Sequence, residues 1–213
     1  MEILYLGHSA FRLRGKEVTI VTDPYSPENG INMGKPSAAI VTVSHEAPDH
    51  SYIDGVSGEP RLVKGPGEYE VADVLIAGVA TQSEPFKGPI NTAYVFRFDD
   101  LAVCHLGDVH DKLSNDQVEA IGAIDVLLIP VGGGDGLTPS VASEVVSQLE
   151  PMVVVPMQYA IEGMKSDGLR PVDDFLRDMG FKDYAPEPRL SVTRSTLPSE
   201  TRIVVLENKR VER

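Results

Sequence analysis

Short apolar runs rich in β-branched residues recur along this chain and restrict the folds that it can adopt. Glycine, proline and aspartate bound most of these runs, which is typical of strands separated by turns. Several runs are continuously apolar, which indicates strands that are covered on both faces of a sheet. The runs lie at 2–6, 17–22, 38–43, 73–79, 92–98, 101–105, 125–131, 152–157 and 202–206.

Helix signals are concentrated in the second half of the chain. Ser114 is an N-cap candidate, and Gln117 three residues later completes a capping box. Thr138 is a second N-cap candidate, and it is followed by a proline at the first helical position. A third segment ends at Gly180, a residue type that favours the end of a helix. The three predicted helical segments are 113–122, 138–151 and 170–180.

The order of these elements predicts the architecture. Strands dominate the first half of the chain, and strands alternate with helices in the second half. We find no linker, internal repeat or low-complexity tract between the halves. The pattern therefore predicts one layered α/β domain over residues 1–213, with helices outside a sheet core.

Composition narrows the function classes. The net charge is −13, and the 19 lysines and arginines are scattered, so we expect no nucleic-acid partner. No apolar run approaches the roughly 20 residues of a membrane-spanning helix, and the first residues lack a signal-peptide pattern. We therefore expect no membrane partner. The single cysteine, Cys104, excludes an intramolecular disulfide and is compatible with the cytoplasm.

Residues 43–51 read VSHEAPDHS and carry the strongest functional signal. They place His45, Asp49 and His50 directly after an apolar run, at a predicted strand end where α/β proteins gather their chemistry. Imidazole and carboxylate are the ligands of zinc, manganese or iron, so the segment predicts a metal or catalytic cluster. The remaining histidines, and one more aspartate, also follow predicted strands: His8, His105, Asp108 and His110.

This segment resembles the H-x-H-x-D-H metal-binding motif of the metallo-β-lactamase superfamily. Other segments are similar, in order, to the branch that contains L-ascorbate-6-phosphate lactonase: YLGHSAFRL, VTDPYSP, KGPGEYEV, NTAYVFRFDDLAVCHLGD, DVLLIPVGGG and QLEPMVVVPMQY. The resemblance covers essentially the whole chain. It implies a four-layer αβ/βα sandwich with a metal site at one edge of its two sheets.

The resemblance also assigns metal ligands, and part of the set is retained. His45 matches a ligand of the first metal, and Asp49 and His50 match ligands of the second. Asp108 matches the carboxylate that bridges the two metals. Asp49 is the implied general base.

Three histidines implied by the resemblance are absent. Ala47 occupies a ligand position of the first metal and cannot coordinate a cation. Ser83 is the best match for a second lost histidine, with Gln82 as the alternative. Gln158 replaces the late-strand histidine of the second site, where its amide oxygen is a weak donor.

These losses lead to the prediction of a degenerate metal site. We expect the first site to be empty, and the second to hold one weakly bound Zn²⁺ or Mn²⁺, or no metal. Hydrolytic activity toward a small-molecule ligand is then reduced or lost. The alternative is a mononuclear hydrolase of a small lactone, ester or phosphoester.

The other histidines give weaker predictions. We expect His8 to face the pocket without binding metal, and His105 to be structural. His110 is interpreted as surface variation. A redeployed metal site that uses His8, His105 or His110 is a third reading. Relatives in this branch often form homo-oligomers, and no sequence feature identifies an interface here.

Overall fold

The computed structural model describes residues 1–81, 90–165 and 168–209. These residues form thirteen strands and three α-helices. The strands are β1 (Glu2–Gly7), β2 (Ala10–Arg14), β3 (Thr19–Thr22), β4 (Ile40–Val43), β5 (Arg61–Lys64), β6 (Gly67–Val71), β7 (Val74–Ala80), β8 (Thr92–Phe98), β9 (Leu101–His105), β10 (Val126–Pro130), β11 (Val153–Met157), β12 (Leu190–Ser191) and β13 (Arg202–Ile203). The helices are α1 (Asn115–Ile121), α2 (Pro139–Leu149) and α3 (Val172–Asp178).

The strands form two sheets, as the predicted α/β sandwich requires. The first sheet has the order β12-β1-β2-β3-β4-β5, and the second has the order β13-β11-β10-β9-β8-β7-β6. Strands β3, β4 and β5 pair in parallel, as do β9, β10, β11 and β13, while the remaining pairs are antiparallel. Parallel strands end at the same edge of a sheet, so the segments that follow them meet there.

The first sheet is buried on both faces. Along β1, Ile3 and Tyr5 belong to the main apolar cluster between the sheets, whereas Leu4 and Leu6 pack in a second cluster on the opposite face. Successive side chains of a strand point to opposite faces, so this division follows from the pleat. It explains why these strands appear in the sequence as continuously apolar runs.

The helices begin where the sequence predicts. The Ser114 hydroxyl accepts a hydrogen bond from the Gln117 backbone, and the reciprocal bond of the capping box is present. Thr138 caps α2, which has Pro139 in its first turn. Helix α2 packs on β10 and α3. The two crossovers of the first sheet contain only short 3-10 turns, at Pro27–Asn29 and Ile53–Gly55.

Several strands escape the sequence patterns. Strands β5 and β6 lie at the outer edges of their sheets, and most of their residues are exposed or half-buried. Their apolar signal is weak for that reason. Strand β2 alternates apolar residues with Arg12 and Arg14, and a short turn joins it to β1. Within the described residues, no helix has both the length and the apolar character that crossing a bilayer requires.

Candidate metal centre

Five strand ends supply the polar side chains of the candidate metal centre. His8 lies in the turn after β1, and Asp23 follows β3. Residues 44–50 follow β4, Asp108 follows β9, and Gln158 follows β11. Hydrogen bonds between the sheets hold these ends together: the Thr92 amide donates to the Ser44 carbonyl over 2.9 Å, and the Gln158 amide donates to the His8 carbonyl over 3.0 Å.

The buried carboxylate of Asp23 holds Ser44 and His50 in place. It is fully buried and accepts hydrogen bonds from the Ser44 amide (2.8 Å), the Ser44 hydroxyl (2.5 Å) and Nδ1 of His50 (2.8 Å). Burial raises the pKa of Asp23, but the hydrogen bond from His50 and the neighbouring positive charges outweigh it, so the pKa is lowered. The carboxylate fixes the His50 ring with Nε2 directed away from Asp23, an arrangement that positions metal-binding histidines in many proteins.

A first group of potential ligands consists of His8, Asp49 and His50, and we call it the His8 group. Its candidate ligand atoms all lie within 4.8 Å of one another. His8 Nε2 lies 3.2 Å from His50 Nε2 and 3.2 Å from Asp49 Oδ2. The Gln158 side-chain amide also lies 3.2 Å from His50 Nε2. Four side chains therefore converge on one point.

A second group consists of His45, His50 and Asp108, and we call it the Asp108 group. Its candidate ligand atoms also lie within 4.8 Å of one another. The Ser44 hydroxyl donates its proton to Asp23, so its oxygen accepts a hydrogen bond from Nδ1 of His45 at 3.1 Å. This contact leaves the Nε2 lone pair of His45 available to a cation.

The pKa values of the candidate ligands are shifted in different directions. Burial lowers the pKa of His50, but the hydrogen bond and charge of Asp23 outweigh it, and the pKa is raised. Burial lowers the pKa of His8, against the opposing hydrogen bond to Asp49. Burial and the nearby His50 lower the pKa of His45. Partial burial raises the pKa of Asp49, but the hydrogen bond from His8 outweighs it and keeps this carboxylate ionised.

The remaining histidines are held by backbone contacts. His105 is fully buried, its Nε2 donates to the Ser9 carbonyl over 2.8 Å, and its Nδ1 accepts from the Gly107 amide. Both ring nitrogens of His105 are therefore engaged in the structure. His110 donates from Nδ1 to the Asp135 carbonyl over 2.6 Å, and its Nε2 lies 3.7 Å from Asp108.

The structure describes two of the three positions where the resemblance implies a histidine. Ala47 is half-buried and, with His45 and Asp108, lines a cleft of about 530 Å³. Gln158 is buried beside His50. Ser83 and Gln82 lie outside the described residues. The resemblance implies that Asp108 bridges two metals, one bound by His45 and the other by Asp49 and His50. In the structure, Asp108 lies with His45, whereas Asp49 lies with His8. His50 belongs to both groups.

Sequence reasoning missed three residues that build the centre. Asp23 and Ser44 form the buried anchor described above. The Asn91 side chain accepts a hydrogen bond from the Asp108 amide over 2.9 Å and donates to the Leu106 carbonyl over 2.9 Å, which holds the Asp108 loop. Asp23 follows the apolar end of β3 and precedes a proline, and this strand-end position is the signal that could have identified it.

Comparisons with known proteins agree with this architecture. A model of the β-lactamase superfamily domain matches residues 2–158. A Thermotoga maritima protein, described as a Zn-dependent hydrolase of the metallo-β-lactamase superfamily, is 38% identical; the alignment covers 96% of this chain and 97% of that protein, with a TM-score of 0.81. The chain therefore belongs to the metallo-β-lactamase superfamily.

More distant relatives are similar over most of their length. A metal-dependent hydrolase from Thermococcus onnurineus is 28% identical over 191 residues, which span 75% of this chain and 84% of that protein. A metallo hydrolase from Ignicoccus hospitalis shares the fold, with a TM-score of 0.65 and 23% identity, covering 90% of this chain and 99% of that one. The chain is thus a metal-dependent-hydrolase-like member of its superfamily.

Proposed function

We propose that this protein belongs to the lactonase-like branch, that its metal site is degenerate, and that it binds no more than one cation. One observation carries the proposal: His50 belongs to both ligand groups, and Asp23 engages its Nδ1. Only Nε2 of His50 remains for a metal. The two groups compete for that nitrogen, so they support one cation rather than a pair.

The donor set fits one metal better than two. With His50 assigned to the His8 group, His45 and Asp108 remain for a second metal, and Ala47 between them contributes no donor. Among the described residues, these two ligands fall short of the three or four that zinc sites use. With one cation, either group supplies three donors. The residues therefore fit a single Zn²⁺ or Mn²⁺.

A single cation would polarise a substrate oxygen and acidify a water molecule, which are tasks that two metals share in dinuclear sites. The side chains of this protein supply the remaining steps. Asp49 is ionised and 43% of its side-chain surface is exposed, so it can accept a proton from water, but its lowered pKa makes it a weak general base. General-base catalysis alone contributes about 10²–10⁴-fold, so we expect hydrolysis to be strongly reduced or lost.

The open cleft favours a second candidate function, a mononuclear hydrolase of a small lactone, ester or phosphoester. The cleft of about 530 Å³ is lined by His45, Asp108 and Asn91, and it is large enough for a small molecule. A cation in the Asp108 group would lie beside it, because His45 and Asp108 line the cleft. The same cleft would also allow this protein to bind a small molecule without catalysing a reaction.

Metal stoichiometry tests the proposal. The metal-free protein is dialysed against Zn²⁺ or Mn²⁺, and bound metal is counted by elemental analysis alongside turnover of a lactone, an ester and a phosphodiester. We expect at most one cation per chain, with turnover weak or undetectable. One cation with substantial turnover would establish the mononuclear hydrolase. Two cations per chain would overturn the proposal.

A further inference from the structure

Two residues of the centre share an unusual backbone conformation. His8 has φ of 51° and Gln158 has φ of 51°, which places both in the left-handed region. Residues with a Cβ atom rarely adopt this conformation, because the Cβ atom comes too close to the backbone carbonyl oxygen. Such outliers persist only where surrounding contacts impose them, and they cluster at binding and catalytic sites.

The contacts that impose this conformation also join the two residues. The Gln158 amide donates a hydrogen bond to the His8 carbonyl over 3.0 Å, and the Tyr5 hydroxyl donates to the same carbonyl over 2.9 Å. Tyr5 is fully buried, so the His8 backbone is held from the core. The two strand ends are thereby fixed with both side chains directed at His50.

The ring of His8 makes its polar contacts through one atom. Its Nε2 lies 3.2 Å from both His50 Nε2 and Asp49 Oδ2, whereas its buried Nδ1 has no hydrogen-bond partner among the described residues. Two imidazole nitrogens this close cannot both carry a proton, because two donors would face each other. One proton is shared at this point, and a cation can take its place.

We propose that His8, Asp49 and His50 bind the single cation, with the Gln158 amide oxygen as a fourth ligand. The inference rests on the proposed function and states which of the two groups is occupied. Two imidazole nitrogens with one carboxylate and one amide oxygen form a mixed nitrogen and oxygen set that suits Zn²⁺ or Co²⁺. A half-turn of the amide group brings the Gln158 oxygen to the position that its nitrogen occupies. His8 thus supplies the imidazole that position 158 lacks.

Metal titration of matched variants tests the assignment. His8→Asn removes the imidazole and keeps a residue type that tolerates the left-handed region. His45→Asn is the matched change in the Asp108 group. Zn²⁺ affinity is measured by chelator competition on the full chain. We expect His8→Asn to weaken binding by about 100-fold or more, because loss of a neighbouring orienting residue alone costs about 10–100-fold. We expect His45→Asn to have little effect.

Two spectroscopic readouts identify the ligands without reference to activity. Co²⁺ absorption should show the band intensity of a four-coordinate site in the wild type and in His45→Asn, and lose it in His8→Asn. Imidazole ¹⁵N spectra should show the Nε2 signals of His8 and His50 shifting when Zn²⁺ is added. Circular dichroism of each variant verifies the fold.

The outcomes separate this inference from the proposed function. One cation per chain that is lost in His45→Asn and retained in His8→Asn would overturn the His8 assignment and leave the proposed function standing. Two cations per chain would overturn the proposed function. Absence of Zn²⁺ and Co²⁺ binding would overturn the inference and leave a hydrogen-bonded centre without metal.

Discussion

The His8 group and the Asp108 group share His50 but differ in how their other members are held. In the His8 group, a left-handed backbone, a buried tyrosine hydroxyl and a bond between the sheets fix the histidine. In the Asp108 group, His45 is half-buried and its ring is held by the Ser44 hydroxyl. Asp108 depends on its loop and on Asn91.

This difference bears on two positions where the resemblance implies a histidine. Ala47 lies in the segment after β4, at the border of the cleft, where a side chain can shorten without leaving a buried cavity. Gln158 lies in the buried part and keeps a side chain that hydrogen-bonds His50. Of the positions where the resemblance implies a histidine, the open part has Ala47, which offers no donor, and the buried part has Gln158, which keeps a polar side chain.

The largest effect is expected from Asp23, because both groups depend on its carboxylate. Asp23→Ala leaves the Ser44 amide and His50 Nδ1 without their buried acceptor. Removing one partner of a buried ion pair costs about 3–5 kcal/mol, so the free energy of unfolding should fall by that amount in urea denaturation.

A matched carboxylate change elsewhere provides the control for Asp23. Asp116 is exposed in the first turn of α1, and Asp116→Ala should change the free energy of unfolding by about 0.5 kcal/mol or less. If the two variants had equal stability, Asp23 would not be the common anchor of the two groups.

Gly107 precedes Asp108 and lies where there is no room for a larger residue. It has φ of 62°, and a Cβ atom there would lie 2.4 Å from Asn91 Oδ1 and 2.5 Å from Ser44 Cβ. Gly107→Ala should therefore combine left-handed strain with overpacking and lower the free energy of unfolding by about 2–4 kcal/mol. It should also displace the adjacent Asp108.

A substitution at Gly133 separates the two causes of lost stability in Gly107→Ala, which are left-handed strain and overpacking. Gly133 has φ of 76°, and a Cβ atom there would meet no described atom within 4 Å. Gly133→Ala should cost only the left-handed strain, about 1–2 kcal/mol. Thermal or urea denaturation of both variants measures the difference, and equal losses would show that the Asn91 and Ser44 contacts relax.

Sequence patterns located most of the buried strands, two helix caps and the cluster after β4, because each of these signals is local. Ser114 and Gln117 cap α1 from three residues apart. The role of Asp23 could not be predicted in this way, because its partners Ser44 and His50 lie 21 and 27 residues away. The same limit applies to His8, whose direction depends on the packing of one sheet against the other.

A histidine at position 47 should strengthen Zn²⁺ binding by the Asp108 group. Ala47→His adds an imidazole next to His45 at the edge of the cleft, which gives the Asp108 group another nitrogen donor. We expect Zn²⁺ affinity or stoichiometry to rise, with an affinity gain of about tenfold or more.

A histidine placed away from the centre controls for nonspecific binding in this experiment. Glu68→His adds an exposed imidazole on β6, and Zn²⁺ titration should match that of the wild type. An equal gain in both variants would mean that position 47 does not contribute to the centre.

The smallest effect concerns His105, a buried residue that belongs to neither group. Burial lowers the pKa of His105, so the folded protein keeps this ring neutral where the unfolded chain protonates it, below about pH 6.5. The unfolded state then binds more protons, and the free energy of unfolding should fall as pH decreases from 6.5 toward the folded pKa. One such proton contributes at most about 1.4 kcal/mol per pH unit.

Comparison of two pH values isolates this contribution. His105→Gln removes the titrating group, so the loss of stability between pH 7.5 and pH 5.5 should be smaller in the variant than in the wild type. His8 and His45 titrate in the same direction as His105, and their contribution remains in both proteins. His50 has a raised pKa and acts with the opposite sign, losing its stabilising effect as pH rises through that pKa. An unchanged pH dependence in His105→Gln would show that this ring is protonated equally in the folded and unfolded states.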